Sequence, residues 1–314
     1  MVPVWTVAVR KVGQEVSKAR VPLLGIGAAF SFLLMMFNVP LPGGTTGHAI
    51  AGTLLAVVLG PWSACISISI ALLLQALMFG DGGILAFGAN SFNMAFVSPF
   101  LGYFIFTFIR HRAKRESGEY AGLIAGSYVG IVMAALCTAI ELGIQPLLFT
   151  NAAGQPMYFP YPLSVSIPAV LAPHLIVAGV VEAIFTVAIY TFIKRVAPGT
   201  LYQGAKTRIR PLYTFLVALV CLSPLGLLAS GTAWGEWGVQ RIAAVAADGK
   251  ALGYVPEGMR NGLSFTAAIP GYLVKGVPDF VGYVISALAG AAALVIAFKI
   301  FGLIRKTHRE KPRH

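Results

Sequence analysis

Two glycine-rich polar segments interrupt an otherwise strongly apolar sequence, and they carry the side chains best suited to chemistry. The first is PLPGGTTGHA (40–49) and the second is GDGGILAFGANSFN (80–93). Glycine lets a backbone turn tightly and approach a ligand. If the two segments lie at the same end of the protein, they can form one site for a small solute. The candidate site residues are Thr46, His48, Asp81, Asn90 and Asn93.

His48 is the residue in these segments with the clearest chemical use, because a neutral imidazole is a common ligand of transition metals. One imidazole does not make a selective metal site, which needs three or four donors in a defined geometry. Asp81, Asn90 and Asn93 offer oxygen donors. Hydrogen bonds that cap the loops explain the same three side chains equally well, so both interpretations stay open.

His174 and Glu182 are the only ionisable pair deep within one apolar run, eight residues apart. This spacing, a little over two helical turns, predicts that they share a helix face. Ionisable groups are costly inside a bilayer and usually face protein or a water-filled cavity. Two interpretations stay open for the pair: a structural tie to a neighbouring helix or subunit, and a relay for protons or a solute.

The composition is that of a membrane protein. The 314 residues are 57% hydrophobic and only 11% charged, with a mean hydropathy of +0.81. This predicts an all-α polytopic integral membrane protein, since only helices and closed barrels satisfy backbone hydrogen bonds in lipid. Basic cytoplasmic loops explain the net charge of +12 better than a nucleic-acid partner does. The sequence has no ATP-binding, nucleophile-elbow or zinc-protease motif, so it does not predict an enzyme.

Charge fixes the expected orientation of the apolar runs. A short run, Ala49–Leu59, is expected to cross the membrane, because all basic clusters then lie on the cytoplasmic side with all but four of the 23 Lys and Arg residues. Both polar segments then lie on the external face. The runs long enough to cross, at about 20 residues each, are Val21–Val39, Ser63–Phe79, Met94–Ile109, Ala121–Ile140, Ile167–Ile193, Leu212–Leu228 and Phe280–Ile304.

A cytoplasmic linker, residues 197–211, divides the sequence. Residues 1–196 are predicted to form a compact helical bundle whose first helix is incomplete. Residues 212–314 are predicted to form a two-helix hairpin with a large external loop (229–279) and a basic cytoplasmic tail. The aromatic residues of that loop suit the membrane interface; they are Trp234, Trp237, Tyr254 and Tyr272.

Three motifs in the first part resemble a known family. They are PGGTTGH (42–48), QALMFGDGGILAFGANSFNMA (75–95) and PHLIVAGVVEA (173–183). They are similar to motifs of the substrate-capture (S) components of nickel and cobalt energy-coupling-factor (ECF) transporters, the NikM/CbiM family. The C-terminal part, with TAWGEWG (232–238), resembles the small NikN/PDGLE-type accessory component fused to the S component.

The resemblance implies that the protein captures Ni(II) or Co(II) as a transported substrate, with no other cofactor, on the external face of a prokaryotic plasma (inner) membrane. It implies delivery of the ion inward with a transmembrane coupling protein of the NikQ/CbiQ type and two ATPase subunits of the NikO/CbiO type, which hydrolyse ATP. The lipid bilayer is the other partner, and no nucleic acid is expected. His48 matches the family's loop histidine, which gives the metal an imidazole nitrogen. The TTGH segment favours nickel over cobalt.

The N-terminus departs from the family pattern. The family's other nitrogen donors come from a Met-His-Ile start, whereas this chain opens MVPVWTVAVRKV. A start codon assigned too far downstream explains the difference, and a real loss of three donors explains it as well. The second explanation leaves an alternative function, an assembly or regulatory subunit with impaired metal binding. A stand-alone channel or secondary carrier is a further alternative, although the sequence lacks the paired inverted repeats of many carriers.

Overall fold

The computed structural model describes residues 1–17, 20–201, 209–229, 231–247, 250–263 and 265–309. Residues 202–208 of the predicted linker and the end of the basic tail (310–314) lie outside the described residues. The helices before the linker are α1 (Val2–Glu15), α2 (Val21–Met35), α3 (Gly52–Leu59), α4 (Pro61–Leu74), α5 (Phe87–Asn90), α6 (Ser98–Ala113), α7 (Glu116–Gly143), α8 (Gln145–Leu148), α9 (Leu163–Pro173) and α10 (Gly179–Val196). Those after it are α11 (Arg210–Leu222), α12 (Val239–Ile242), α13 (Glu257–Arg260) and α14 (Asp279–Arg309).

The remaining regular structure is short. Two antiparallel hairpins pair β1 (Val39–Leu41) with β2 (Thr45–Gly47) and β3 (Ala246–Ala247) with β4 (Lys250–Ala251). Among the described residues, named stretches of 3₁₀-helix lie at Pro198–Thr200, Ser223–Leu228 and Pro270–Tyr272, and three π-helical turns lie at Gln75–Phe79, Ser91–Val97 and His174–Ala178.

Six helical stretches of the described chain are long and apolar enough to cross a membrane. They have 19 to 34 residues each, and about 20 residues suffice to span the hydrocarbon core. The prediction of an all-α polytopic membrane protein is therefore confirmed. The six stretches are Pro61–Phe79, Phe87–Ala113, Glu116–Leu148, Leu163–Val196, Arg210–Leu228 and Asp279–Gly302.

Two helices near the N-terminus are shorter. α2 has 15 residues and ends at Met35, earlier than the predicted Val39, because that residue already begins strand β1. α3 has eight residues, all buried, so neighbouring helices shield it. Gly60, at a φ of 92°, turns the chain from α3 into α4, and the two helices pack together. The far ends of this helical hairpin, near His48 and Asp81, therefore lie at the same end of the bundle.

Glycines allow the bundle helices to approach closely. A Cβ atom at Gly102 of α6 would lie 1.8 Å from Thr53 Oγ1 of α3, and one at Gly126 of α7 would lie 2.5 Å from the Gly102 carbonyl oxygen. Thr53 Oγ1 donates a hydrogen bond to the carbonyl oxygen of Gly126 at 3.2 Å. Small residues at helix crossings are typical of membrane bundles, where close backbone packing stabilises association.

The C-terminal hairpin packs onto this bundle. α14 lies against α2, and a Cβ atom at Gly290 would come within 2.3 Å of the Phe32 ring. Tyr283 Oη donates a hydrogen bond to the carbonyl oxygen of Met36 at 2.9 Å. A Cβ atom at Gly226, just after α11, would lie 2.0 Å from that same oxygen. The end of α2 is thus held from two sides by the C-terminal part.

Candidate functional site

A cavity of about 810 Å³ lies where the two polar segments meet. Thr46 and His48 line it from the first segment, and Asp81 and Asn90 line it from the second. The turn between α3 and α4 explains this meeting, since it returns the chain to the end of the bundle from which α3 started. The two segments therefore form one site rather than two separate loops.

A β-hairpin presents the first segment to the cavity. β1 and β2 pair with Leu41 opposite Thr45, and Pro42, Gly43 and Gly44 form the loop between them. Gly43 and Gly44 have φ values of 91° and 74°, in the left-handed region that only glycine adopts at little cost. The hairpin is buried along β2, so the backbone that leads into His48 is fixed.

His48 is partly buried against the cavity wall. Its Nδ1 has no hydrogen-bond partner among the described residues. Burial lowers the pKa of His48, and the nearby charge of Asp81 opposes this effect without reversing it. The imidazole is therefore neutral at physiological pH and has a lone pair available, as a metal ligand must.

Asp81 belongs to a hydrogen-bonded group that joins the two parts of the chain. Gln75 Nε2 donates to Asp81 Oδ2 at 3.1 Å and to Tyr272 Oη at 2.9 Å, and the Tyr272 hydroxyl donates to Asp81 Oδ2. Burial and the negative charge of Asp81 raise the pKa of Tyr272 well above its usual range, so its hydroxyl stays protonated. Asp81 is thus held in place by partners on both sides of the linker.

Asn90 and Asn93 differ in their contacts. The segment 80–93, predicted to be a loop, is partly helical. Asn90 ends α5, and its Nδ2 donates to the carbonyl oxygen of Gly82 at 2.9 Å, which fastens the loop beside the cavity. Asn93 lies in a π-helical turn, buried, and its Nδ2 donates to Glu141 Oε2 at 2.7 Å and to Thr138 Oγ1 at 3.0 Å. The expectation of a loop reaching to Asn93 was therefore wrong, and Asn93 faces α7 rather than the cavity.

His174 and Glu182 occupy different surroundings. His174 lines the cavity, and its Nδ1 lies 2.7 Å from the carbonyl oxygen of Val170 on its own helix. Glu182 is 1% exposed, and its Oε2 accepts a hydrogen bond from the Ile50 backbone N–H at 2.8 Å. The π-helical turn that begins at His174 adds about one residue to a helical turn, so the eight-residue spacing covers close to two turns, and the shared face of the two residues stays a prediction. No hydrogen bond joins the two side chains in the described part of the chain.

The sequence interpretation missed the wall that the C-terminal part contributes. Trp234, Glu236 and Trp237 line the cavity, and both tryptophan rings pack against Phe159 and Tyr161. These tryptophans were expected at the membrane interface, as was Tyr272, which is only 6% exposed. The density of aromatic residues around one acidic residue in TAWGEWG was the available signal.

Each of the three π-helical turns contributes a residue to the cavity. Gln75, Met94 and His174 come from one turn each. π-Helical turns inside α-helices are rare and occur frequently at functional sites. The three π-helical turns therefore favour the cavity as the functional site of the bundle.

The donor set around the cavity is small. No group of three or more His, Cys, Asp or Glu side chains within the described ranges is placed to hold a metal ion. The site therefore offers the imidazoles of His48 and His174, the hydrogen-bonded carboxylate of Asp81 and a second carboxylate, Glu236, from the C-terminal part, in a space large enough for a hydrated ion. This arrangement suits capture of a divalent cation better than a covalent reaction.

The fold and this site define a multi-pass membrane protein with a polar cavity at one end of its helical bundle. The sequence profile described as "cobalt uptake substrate-specific transmembrane region" (CbiM) matches residues 1–200, and the PDGLE domain profile matches residues 210–307. The chain therefore belongs to the CbiM family and carries a PDGLE domain after the CbiM region.

Two relatives are similar to this protein over 98% of the chain, and a solved structure is similar over 62% of it. A "probable fused nickel transport protein LarMN" of Lactiplantibacillus plantarum is 50% identical, over 98% of this chain and 93% of that protein. The "fused nickel transport protein NikMN" of Rhodobacter capsulatus is 43% identical over the same shares of the two chains. A solved structure described as a truncated transition metal transporter is 57% identical, with a TM-score of 0.58, over 62% of this chain and 90% of the other.

Proposed function

We propose that this protein is the S component of an ATP-driven ECF uptake transporter, which captures Ni(II) or Co(II) on the external face and delivers it inward. The observation that carries the proposal is the cavity, because it places the His48 imidazole, the Asp81 carboxylate and the C-terminal wall around one space. The lowered pKa of His48 keeps its nitrogen free for a metal. Relatives with nickel transport in their descriptions support nickel as the first choice.

The proposed division of labour follows the parts of the chain. Residues 1–196 form the S component, 197–211 the cytoplasmic linker, and 212–314 the accessory hairpin. The external loop (229–279) covers the cavity, and the orientation has the cavity outside and the basic clusters in the cytoplasm of a prokaryotic inner membrane. The positive-inside rule supports this orientation, and the profiles matched to residues 1–200 and 210–307 support the division.

A nickel-uptake assay tests whether the protein needs partners. Cells that produce the chain together with a coupling protein of the NikQ/CbiQ type and ATPase subunits of the NikO/CbiO type are expected to accumulate radioactive nickel. Cells that produce the chain alone are expected to remain at background, because the sequence has no ATP-binding motif to drive transport. A chain with His48→Ala, produced with the same partners, is the control. Full uptake by the chain alone would identify a stand-alone carrier and contradict the proposal.

Nickel capture is expected to strengthen as the pH rises through neutrality. Glu236 is exposed to the cavity, but the protein around the cavity and the negative charge of Asp81 raise the pKa of Glu236 to about 7. Below pH 7 this carboxyl becomes neutral and the cavity loses a negative charge, while burial lowers the pKa of His48 and so disfavours a positive charge on its ring. The association rate of nickel is expected to be about two- to tenfold higher at about pH 8 than at about pH 6.

The Glu236→Gln variant is the matched control for this pH dependence, since glutamine keeps the size and does not titrate. Its association rate is expected to be low and nearly constant from about pH 6 to about pH 8. Stopped-flow measurements with a metal-sensitive dye follow both proteins. An equally steep pH profile in the variant would assign the dependence to another group.

A second candidate function is an assembly or regulatory subunit with impaired metal binding. The small donor set favours it, because selective metal binding needs three or four donors in a defined geometry, and the described residues hold no group of three or more His, Cys, Asp or Glu side chains placed for a metal ion. Calorimetric titration with nickel, before and after fusion of a Met-His-Ile start, separates the two candidates. Binding by either form supports the capture function, whereas failure of both supports the regulatory one.

A further inference from the structure

Glu182 is a buried acid that the proposed capture function does not use. Its side chain is 1% exposed, within the apolar stretch Leu163–Val196. A carboxyl group in such a place is costly unless hydrogen bonds or opposite charges compensate it. The described part of the chain shows no salt bridge to Glu182; its partner is the backbone between His48 and α3.

That backbone forms a nest for the carboxylate. Glu182 Oε2 accepts a hydrogen bond from the Ile50 N–H at 2.8 Å, and the N–H groups of Ala51 and Gly52 face the same carboxylate. Ala51 has a φ of 61°, a left-handed conformation that is strained for a residue with a side chain. Successive N–H groups in such a conformation converge to bind an anion, so Glu182 explains why the strain is retained.

Glu182 also caps a helix that lacks a local cap. α3 begins directly after Ala51, and no side chain near the start of this helix caps its first N–H groups. Such groups carry partial positive charge and need acceptors when they are buried. Here the acceptor comes from α10, more than a hundred residues later in the sequence.

Ile50, whose N–H binds Glu182, is also held at its carbonyl group. Ser31 Oγ, which is buried, donates a hydrogen bond to the carbonyl oxygen of Ile50 at 2.8 Å. Both backbone groups of Ile50 are therefore fixed by side chains of two other helices, Ser31 of α2 and Glu182 of α10. We call these two hydrogen bonds to Ile50 the clamp. Ile50 lies two residues after His48, so the clamp also limits where the His48 imidazole can lie.

We propose that Glu182 is a positioning residue that holds the His48 imidazole in the cavity for the incoming ion. The role of His48 as a metal ligand rests on the proposed function, whereas the clamp is a feature of the structure whatever the function is. Without the carboxylate, the start of α3 loses its cap and the left-handed Ala51 relaxes. The segment that carries His48 then samples other conformations and binds metal less well.

Two substitutions of Glu182 test the proposal by nickel titration of the purified protein in detergent. Glu182→Ala is expected to weaken nickel binding about 10- to 100-fold, the usual cost of losing a group that orients a metal ligand. Glu182→Gln keeps a carbonyl oxygen that accepts the Ile50 N–H, so its loss is expected to be smaller. The visible spectrum of bound Co(II) is expected to change in Glu182→Ala, because the geometry around the ion changes.

Thr186→Val is the matched control. Thr186 lies one helical turn beyond Glu182, is 1% exposed, and its Oγ1 has no hydrogen-bond partner among the described residues. Its replacement disturbs the same part of α10 without touching the clamp, so nickel affinity is expected to stay within about twofold, as is usual for a nearly isosteric change away from the site. Should Glu182→Ala fail to fold, Glu182→Gln and Ser31→Ala decide, since Ser31→Ala removes the opposite half of the clamp.

A measurement without metal separates this proposal from the proposed function. The rate at which diethyl pyrocarbonate modifies His48, followed by mass spectrometry, is expected to rise in Glu182→Ala and stay unchanged in Thr186→Val. If the rate rises but even the wild-type protein binds no nickel or cobalt, the clamp stands and the capture function fails. Folded Glu182 variants with wild-type nickel affinity and wild-type modification rates would overturn the positioning role. Parallel losses of affinity and thermal stability in Glu182→Ala and Thr186→Val would also overturn it.

Discussion

Replacing His48 by alanine is expected to weaken nickel binding at least about 100-fold, beyond the 10- to 100-fold typical for a group that only orients a ligand. His48 lines the cavity with an unpaired Nδ1, and the described residues offer no group of three side-chain donors that would replace it. Burial keeps the ring neutral, so the lost nitrogen is one that binds metal without first releasing a proton. Isothermal titration of the purified protein measures the change.

His111→Ala is the control for this experiment. His111 lies on α6 beside the basic cluster, exposed, and its Nδ1 lies 2.6 Å from the carbonyl oxygen of Thr107. Its loss is expected to leave nickel affinity unchanged. If His48→Ala bound nickel as tightly as the wild-type protein, the metal would lie elsewhere and the proposed site would be wrong.

Replacing Gly226 by alanine is expected to destabilise the protein by about 1–3 kcal/mol or more, the usual cost of forcing atoms into a packed site. The new Cβ would lie 2.0 Å from the Met36 carbonyl oxygen and 3.1 Å from Tyr283 Oη. Neither backbone can give way without breaking the hydrogen bond from Tyr283 to Met36. The contact between the C-terminal part and α2 therefore opens. Thermal unfolding in detergent measures the loss of stability.

Gly88→Ala provides the comparison, because nothing lies within 4 Å of its new Cβ and Gly88 sits in the short helix α5. Alanine is favoured over glycine in a helix by roughly 0.5–1 kcal/mol, so this variant is expected to be at least as stable as the wild-type protein. An equal loss in both variants would show that the tight approach at Gly226 is not what holds the C-terminal part in place.

Much of the architecture follows from the sequence because the bilayer restricts it. Apolar runs of sufficient length predicted the crossings, and the distribution of basic residues led to the interpretation that Ala49–Leu59 crosses as a short helix. That interpretation placed the two polar segments on one side, and the structure has both of them in one cavity. The eight residues of α3 are buried, and a helix surrounded by protein need not match the thickness of lipid; that α3 crosses the membrane stays a prediction.

Contacts between distant residues were beyond such reasoning. The bond from Ile50 to Glu182 joins residues 132 positions apart, and no local pattern announces it. The three π-helical turns shift the helical phase, so counting 3.6 residues per turn does not give the face of a residue that lies beyond them. Asn93 shows the same problem, since its helical turn aims it at Glu141 and away from the cavity.

The loop 229–279 was the least predictable part, because it has neither the periodicity of a helix nor an apolar run long enough to cross a membrane. Its tryptophans were assigned to the membrane interface from residue type alone. In the structure they contact Phe159 and Tyr161, residues of the CbiM region. Aromatic side chains suit both environments, so composition does not distinguish a lipid boundary from a cavity wall.

The wall of the cavity is formed by residues from both sides of the linker, and this affects how the site is assembled. Tyr272, after the linker, completes the hydrogen bonds of Asp81, before it, so both halves are needed to enclose the space. Since both are in one polypeptide, their meeting is intramolecular, at an effective concentration on the order of millimolar. Closure therefore does not depend on expression level or on diffusion in the lipid plane. Each copy of the chain therefore carries both parts of the cavity wall. Two separately encoded subunits would form the complete wall equally often only if they bound each other tightly.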